Sequence, residues 1–504
     1  MLKIALLCVS VLSVMSCAQS EVLTNKDLIK IGVPMEAVTL YPYGSNDNAT
    51  ARVLVNIFDR LIEKDSKGEF QPGLATSWEI ETPTSIKLNL RSNVTFHNGT
   101  PFTAKDVKYS IQKIMKSPEI EHIASPMKNV DIIDDYTVVI NLHKPFAPIL
   151  SHLAHVTMSI MSKDYTETAG VDIDQKPIGT GSYKLKTWNR GQNLLLEANT
   201  EYWNGAPKIA NIEFRNIPEA TARTIALETG DIDIAYDIDS IDRERVQNSS
   251  DLQLIEEAIA RIEYIGFNIN KGKNPIWKDK RVREAVALAL DYDGIINSVL
   301  FGTGTPADSI LYKSVIGHYD GLKIRVRNIA KAKELLAEAG IAPGTKVTMW
   351  ATEGQRQKIL EIVQANLREI GIDASIEIYE WARFLDSTAK GEHDMFILGW
   401  TTVTGDADYG IYNLVHSKAF GSGGNRSFYS NSKVDTLLES ARIELDPIKR
   451  ADMYKIIQEI VYEDLPLIPL YYKLSNIGTS KFVKGFEFDL SDAHRLRTVY
   501  FENK

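Results

Sequence analysis

Residues 398–410 read LGWTTVTGDADYG: a tryptophan, three threonines, three glycines and two aspartates in one short run. Hydroxyls and carboxylates at this density can bond the amides and ammonium of a small polar ligand; the same residues can also form a polar turn that stops a strand. Covalent chemistry has no comparable support. The chain holds no G-x-S-x-G elbow and no H-E-x-x-H helix, and its only cysteines are Cys8 and Cys17, so an enzyme is not expected. Of nine histidines only His152 and His155 stand close, at i and i+3, with no further His or Cys beside them to complete a metal cage. The glycines of PIGTGSYKL (177–185) lack the Lys-Ser/Thr ending of a phosphate loop and the spacing of a dinucleotide fold; they read as backbone geometry, and Gly302-Thr303-Gly304 is no stronger. Neither a metal nor a cofactor is expected.

The scaffold around that run is legible. KVTMWA (346–351) reads as a strand, and Gln357–Ile370 carries Ile359, Leu360, Val363, Leu367 and Ile370 on one helical stripe ended by Gly371. IDASIEIY (372–379) and DMFILGW (394–400) are further strands around the helix-like WARFLDSTAKG (381–391). Strand–helix–strand–helix–strand implies parallel strands with right-handed crossovers, and ligands gather at the carboxyl ends of such strands. Those ends are WATEGQR (350–356) and WTTVTGDAD (400–408). In the first half, LIKIGVP (28–34) reads as a strand, the loop 35–48 leaves its carboxyl end, and a helix follows near Ala49–Leu61. SIKLNLRSNVTF (85–96) and DYTVVINLHKPF (135–146) alternate as half-buried strands do. FHNGTPFTAKDV (96–107) reads as scaffold: a turn at Asn98-Gly99, Thr103 capping a helix from Ala104, and a structural His97. The fold class is mixed α/β, with a cleft between lobes lined from both.

A chain of 504 residues with 44% hydrophobic and 24% charged side chains can bury large cores in two or three domains. A formal net charge of −9 sets nucleic acid aside as a partner. MLKIALLCVSVLSVMSC (1–17) has the layout of an export signal, and Val14-Met15-Ser16-Cys17 resembles a bacterial lipobox. Residues 1–16 are therefore expected to be a signal peptide, and Cys17 a lipid-bearing N-terminus that tethers an otherwise soluble body to the bacterial membrane, periplasmic or at the cell surface. No later apolar run approaches the roughly 20 residues of a membrane helix.

QPGLATSWEI, VTFHNGTPFTAKDVKYSI, PIGTGSYKLKTW, YIGFNIN, DKRVREAVALALD, AKELLAEAG, GEHDMFILGW, SFYSNSKVDTLLESA and EDLPLIPLYY follow in that order along the chain. The pattern resembles the extracellular solute-binding proteins of the peptide/nickel ABC-importer family. The resemblance implies a two-lobed periplasmic-binding-protein-like fold with a hinge: lobe I from 17–259 plus 476–504, with an inserted subdomain about 60–170, and lobe II from 260–475. The hinge strands would be AIARIEYIGF and LYYKLSNIG. It further implies a monomer that closes on its ligand and delivers it to the transmembrane subunits of an ABC permease.

Within the family, dipeptide receptors carry an aspartate three residues after the tryptophan matched by Trp400, and an arginine at the end of the strand 346–351; here those positions are Val403 and Trp350. A buried ammonium without a counter-ion is costly, so dipeptide capture by that geometry is not expected. W-x-x-x-T-G-x-A-D, matched by Trp400, Thr404, Gly405, Ala407 and Asp408, resembles the glutathione-binding branch. Glutathione has one ammonium and two carboxylates. On this resemblance Arg261, Arg356, Arg383 and Arg426 are candidates for the carboxylates, Asp406 for the ammonium, Tyr41, Trp350 and Trp400 for the walls, and Asn46, Asn425 and Thr402 for the peptide amides, while Asp408 reads as a helix cap. The alternatives are a general di- or oligopeptide receptor, or a nickel or haem receptor of the same family.

Overall fold

The computed structural model describes residues 27–502 other than 46, 66, 170–172 and 174; the expected signal peptide and Cys17 lie outside the described residues. One sheet of eleven strands runs through the molecule. From one edge its order is Ile372–Ile378, Thr345–Ala351, Met395–Thr401, Leu252–Phe267, Leu467–Ser480, Ile234–Ala235, Leu28–Val33, Asn211–Asn216, Asn193–Ala198 and Tyr183–Asn189, with Gly304–Pro306 added against Leu467–Ser480.

The two central strands are unusually long, 16 and 14 residues, and pair antiparallel with each other. At about 3.3 Å per residue the first spans roughly 50 Å, long enough to serve two cores. One buried cluster draws its members from Ala260 to Tyr472; a second draws them from Ile29 to Tyr236 and again from Ile477 to Val499. The expected hinge stretches lie within these two strands. Their register breaks where the cores meet: Ala258 faces Leu474 but Ile262 faces Tyr472, so three residues oppose one. Such a bulge bends the strand and frees backbone groups from the ladder.

The segment 345–401 folds as its periodicity predicts. Thr345–Ala351 pairs in parallel with both Ile372–Ile378 and Met395–Thr401. The helix Gln355–Glu369 buries Ile359, Leu360, Val363 and Leu367, and Gly371 ends it at φ +88°, open to glycine without a Cβ penalty.

The first lobe carries a separate four-stranded antiparallel sheet, ordered Ala75–Thr82, Ser85–Leu90, Thr137–Leu142 and Met127–Asp134. Its buried residues Ile86, Leu88, Val138 and Ile140 belong to the same cluster as Ile29 and Ile31, so its core is continuous with that of the lobe. The helix Ala104–Ile114 starts at Thr103, whose backbone N–H donates to Asp106 at 2.9 Å. His97 faces the Gly181 carbonyl at 3.0 Å, and burial pushes its pKa down to about 4. The glycines it touches are tightly placed: a Cβ on Gly179 would lie 2.0 Å from the Ile57 carbonyl oxygen. That close approach fixes the end of the helix Asn48–Ile57, whose other end reaches the site below.

Candidate functional site

Between the two cores lies a cavity with about 1050 Å3 of non-atom space, its open mouth included. Lobe I supplies Ser45, Asp47 and Thr50 at the start of the helix Asn48–Ile57, then Arg60, Lys64 and Asp65, with Ser151, His155 and Asp489 beside them. Lobe II supplies Ala260, Ser314, Val315 and the run Thr401–Gly405. The stretch 398–410 thus ends a strand and walls the cavity with the same residues.

Local chemistry holds each wall. Asp47 caps its helix by accepting from the Thr50 N–H at 2.8 Å. Across the cleft, the Thr402 N–H donates to the Ala260 carbonyl at 2.8 Å and the Gly405 N–H to the Thr402 carbonyl at 2.9 Å, closing a turn with Gly405 at φ +66°. Two ion pairs anchor this turn from behind. Arg450 donates to the Asp406 carboxylate at 2.6 and 2.8 Å, and Arg442 to the Asp408 carboxylate at 2.7 and 3.2 Å. Burial opposes the Arg450 charge, but Asp406 outweighs it and raises the pKa.

These pairs correct the reading of both aspartates. Asp406 is 2% exposed with both oxygens engaged by Arg450, so it is not placed to meet an ammonium; it also accepts from the Asp408 N–H at 2.8 Å. Asp408 lies inside the helical turn Asp408–Tyr412 and spends its carboxylate on Arg442.

Of the other expected site residues, Thr402 and Thr404 line the cavity. Asn46 lies outside the described residues. Trp350 is excluded by register: it pairs beside Phe396, four positions short of Trp400 or about 13 Å along the strand, and is buried against Tyr379. Trp400 stacks on Tyr409 and donates to its carbonyl at 3.2 Å. Arg356 and Arg261 both bond Glu263, at 3.0 and 2.7 Å, and Arg261 also reaches the Thr401 hydroxyl at 3.1 Å. Burial pushes the Glu263 carboxyl up, and Arg261 and Arg356 together bring it below its ordinary value. Arg383 is exposed beside Tyr379. Arg426 is buried and donates to the Thr388 hydroxyl at 3.1 Å; Asn425 is fully buried and donates to the His416 and Tyr429 carbonyls. Tyr41 packs edge-on against Tyr43 outside the cavity lining. Among the described residues that line this cavity, none is Arg261, Arg356, Arg383, Arg426, Asn425, Trp350, Trp400 or Tyr41.

The cations that line the cavity, Arg60 and Lys64, belong to no motif that would single them out. Arg60 is buried, donates to the Ala154 carbonyl at 2.9 Å and pairs with Glu63, which also meets Arg495 at 2.5 Å. Burial raises the Glu63 pKa; Arg495 and Arg60 reverse this and hold it low. Lys64 donates across the cleft to the Thr404 carbonyl at 2.7 Å. Its pKa falls to about 8, driven by burial, with Asp406 and Asp489 opposing. His155 meets the Thr157 hydroxyl at 2.8 Å and is neutral: burial, then the like charges of His152 and Arg60, push its pKa to about 3. Among the described residues no group of three His, Cys, Asp or Glu is placed to hold a metal. Three buried polar atoms of the lining have no hydrogen-bond partner among the described residues: Arg60 Nε, Ser314 Oγ and Thr404 Oγ1. Buried polar atoms are rarely left so, and these three belong to residues that line one cavity.

Residues 69–422 match the model of the bacterial extracellular solute-binding proteins, family 5. The chain is 29% identical over 496 residues to a dipeptide-binding protein of Escherichia coli (strain K12), covering 92% of each. It is also 29% identical over 484 residues to the glutathione-binding protein GsiB of Salmonella typhi, covering 94% of each. The structure of HbpA2 from Haemophilus parasuis superposes with a TM-score of 0.86 at 30% identity, covering 94% of this chain and 100% of that one. The family match over most of the chain, on a two-lobed fold with a cavity between its cores, makes this protein a member of the family 5 extracellular solute-binding proteins.

Proposed function

We propose that the protein captures a small peptide, glutathione in particular, between its lobes and hands it to the permease of an ABC importer. The carrying observation is the charge of the cavity lining: Arg60 and Lys64 stand in one chamber with Asp47, Asp65 and Asp489. A zwitterion with separated ammonium and carboxylate groups is the ligand such a lining complements. Among the described residues both hydrogen bonds to the Asp489 carboxylate, from the Ser491 backbone and hydroxyl, go to Oδ1, which leaves Oδ2 for an ammonium. Val403 stands in the lining where an aspartate would serve a dipeptide receptor, and this favours the glutathione reading over the dipeptide one.

Native mass spectrometry of the purified mature protein tests the assignment. A single bound species of glutathione mass, released on denaturation, is expected. A spread of di- to pentapeptide masses supports the broader peptide receptor instead, and tightly held nickel sinks both. The same proposal tethers the receptor through lipid on Cys17: Cys17→Ala should move it from the membrane to the soluble fraction with ligand affinity unchanged, and persistent membrane association would refute the tether.

A further inference from the structure

We infer that Lys64 is the specificity-determining cation of this receptor, selecting ligands that place a carboxylate at the junction of the two lobes. The inference rests on the peptide reading above and names what that reading leaves open, the group that recognises the ligand's acid.

Lys64 ends the short strand Ile62–Lys64 in lobe I, and its ammonium reaches 340 residues along the chain to the Thr404 carbonyl of lobe II. Its other neighbours are weak ones: the Ser151 hydroxyl at 3.5 Å and the face of Phe70 at 5.1 Å. No carboxylate among the described residues approaches it within ion-pair distance. Of the two acids that act on it from further away, Asp406 is committed to Arg450, and Asp489 accepts from Ser491. A half-buried ammonium with one good acceptor and no carboxylate at ion-pair distance is under-satisfied in charge. Its pKa, pushed down to about 8, records that deficit.

Among the described residues none of the chamber's carboxylates, Asp47, Asp65 or Asp489, comes within ion-pair distance of it, and an anion from outside can take that place. Among the described residues Arg60 Nε and the Ser314 and Thr404 hydroxyls are buried without partners in the same lining. A carboxylate placed in the cavity supplies the lysine with a charge-assisted acceptor. The opposite wall is shaped to admit the lysine. Gly405 sits at φ +66°, and a Cβ there would lie 2.8 Å from Lys64 Nζ. The turn requires glycine at 405, and a Cβ there would push the flexible end of Lys64 aside. Since Lys64 touches both lobes, an anion bound against it also favours their closed arrangement, which links selection to capture.

Calorimetry with glutathione and with its dimethyl ester, in which both carboxylates are masked, tests the inference on the parent, Lys64→Met and Gly405→Ala proteins. The parent is expected to bind the acid at least about tenfold more tightly than the diester, a typical gap for a charge-assisted contact. In Lys64→Met that preference should fall by about tenfold or more through loss of acid binding, with diester binding retained. Gly405→Ala, which displaces the ammonium without removing it, should show the same loss in smaller degree. If the parent binds acid and diester alike, or Lys64→Met keeps the full preference, the inference is overturned while the receptor reading stands. If the parent binds neither, the glutathione assignment fails and the inference falls with it.

Discussion

Asp406→Asn is expected to cost about 3–5 kcal/mol of folding stability, the penalty for stranding one member of a buried ion pair, while changing glutathione affinity by much less. The loss falls on Arg450, which is itself buried, donates to the Ala441 carbonyl at 2.9 Å and to the Tyr454 hydroxyl at 3.1 Å, and among the described residues pairs with no carboxylate but Asp406. Asp408→Asn should cost less, because the Arg442 side chain it pairs with is 29% exposed and can be solvated when the pair is broken. Replacing both partners, Asp406→Asn with Arg450→Met, should recover part of the loss, since a pair of uncharged groups leaves no buried charge behind. Urea unfolding and calorimetry on the three variants separate the roles. Unchanged unfolding with abolished binding in Asp406→Asn would return that carboxylate to the ligand. The functional meaning of the pair is positional: the helices Ser432–Ile443 and Pro447–Asp464 carry Arg442 and Arg450, and through them hold the turn that presents Thr402–Gly405 to the cleft.

Local pattern accounts for what the sequence made legible. The helical stripe before Gly371, the alternation in Thr137–Leu142 and the turn at Gly99 each depend on neighbours within a few residues, and the chain folds there as its periodicity requires. The errors come from partners far along the chain. Asp406 and Asp408 look available until arginines 44 and 34 residues downstream fold back onto them. Arg356 looks like a ligand group at a helix start until Glu263, 93 residues upstream, takes it. Trp350 shares a sheet with the cavity wall but sits at the wrong height, a matter of strand register that composition does not encode. Lys64 carries no motif at all; the glycine opposite it, Gly405, was legible only as part of a turn.

Acid should unfold the protein well before its carboxylates are all protonated, because histidines are buried in the neutral form. His155, at 5% exposure, and His393, at 1%, both have pKa values pushed to about 3. Burial is the main cause for each; His152, Arg60, His122 and Lys64 add like charge at His155, and Arg426 does so at His393. In the unfolded chain both return to about 6.5. The unfolded state therefore binds more protons between pH 6.5 and 3, and the stability these residues lend is complete above pH 6.5 and lost as pH falls toward 3. At about 1.4 kcal/mol per pH unit, each costs on the order of 3 kcal/mol by pH 4. Two such losses approach the roughly 5–15 kcal/mol that holds a typical domain folded. His494 adds in the same direction, its pKa lowered by burial beneath Tyr236, whose hydroxyl meets its Nδ1 at 2.9 Å. The melting temperature should hold near its maximum from pH 8 to 6.5 and fall steeply between pH 6 and 4. His393→Phe, which cannot take up the proton, should show a shallower acid slope even if its melting temperature at pH 7 is lower. A parent protein whose melting temperature is flat from pH 7 to 4 would show that these histidines are not held neutral.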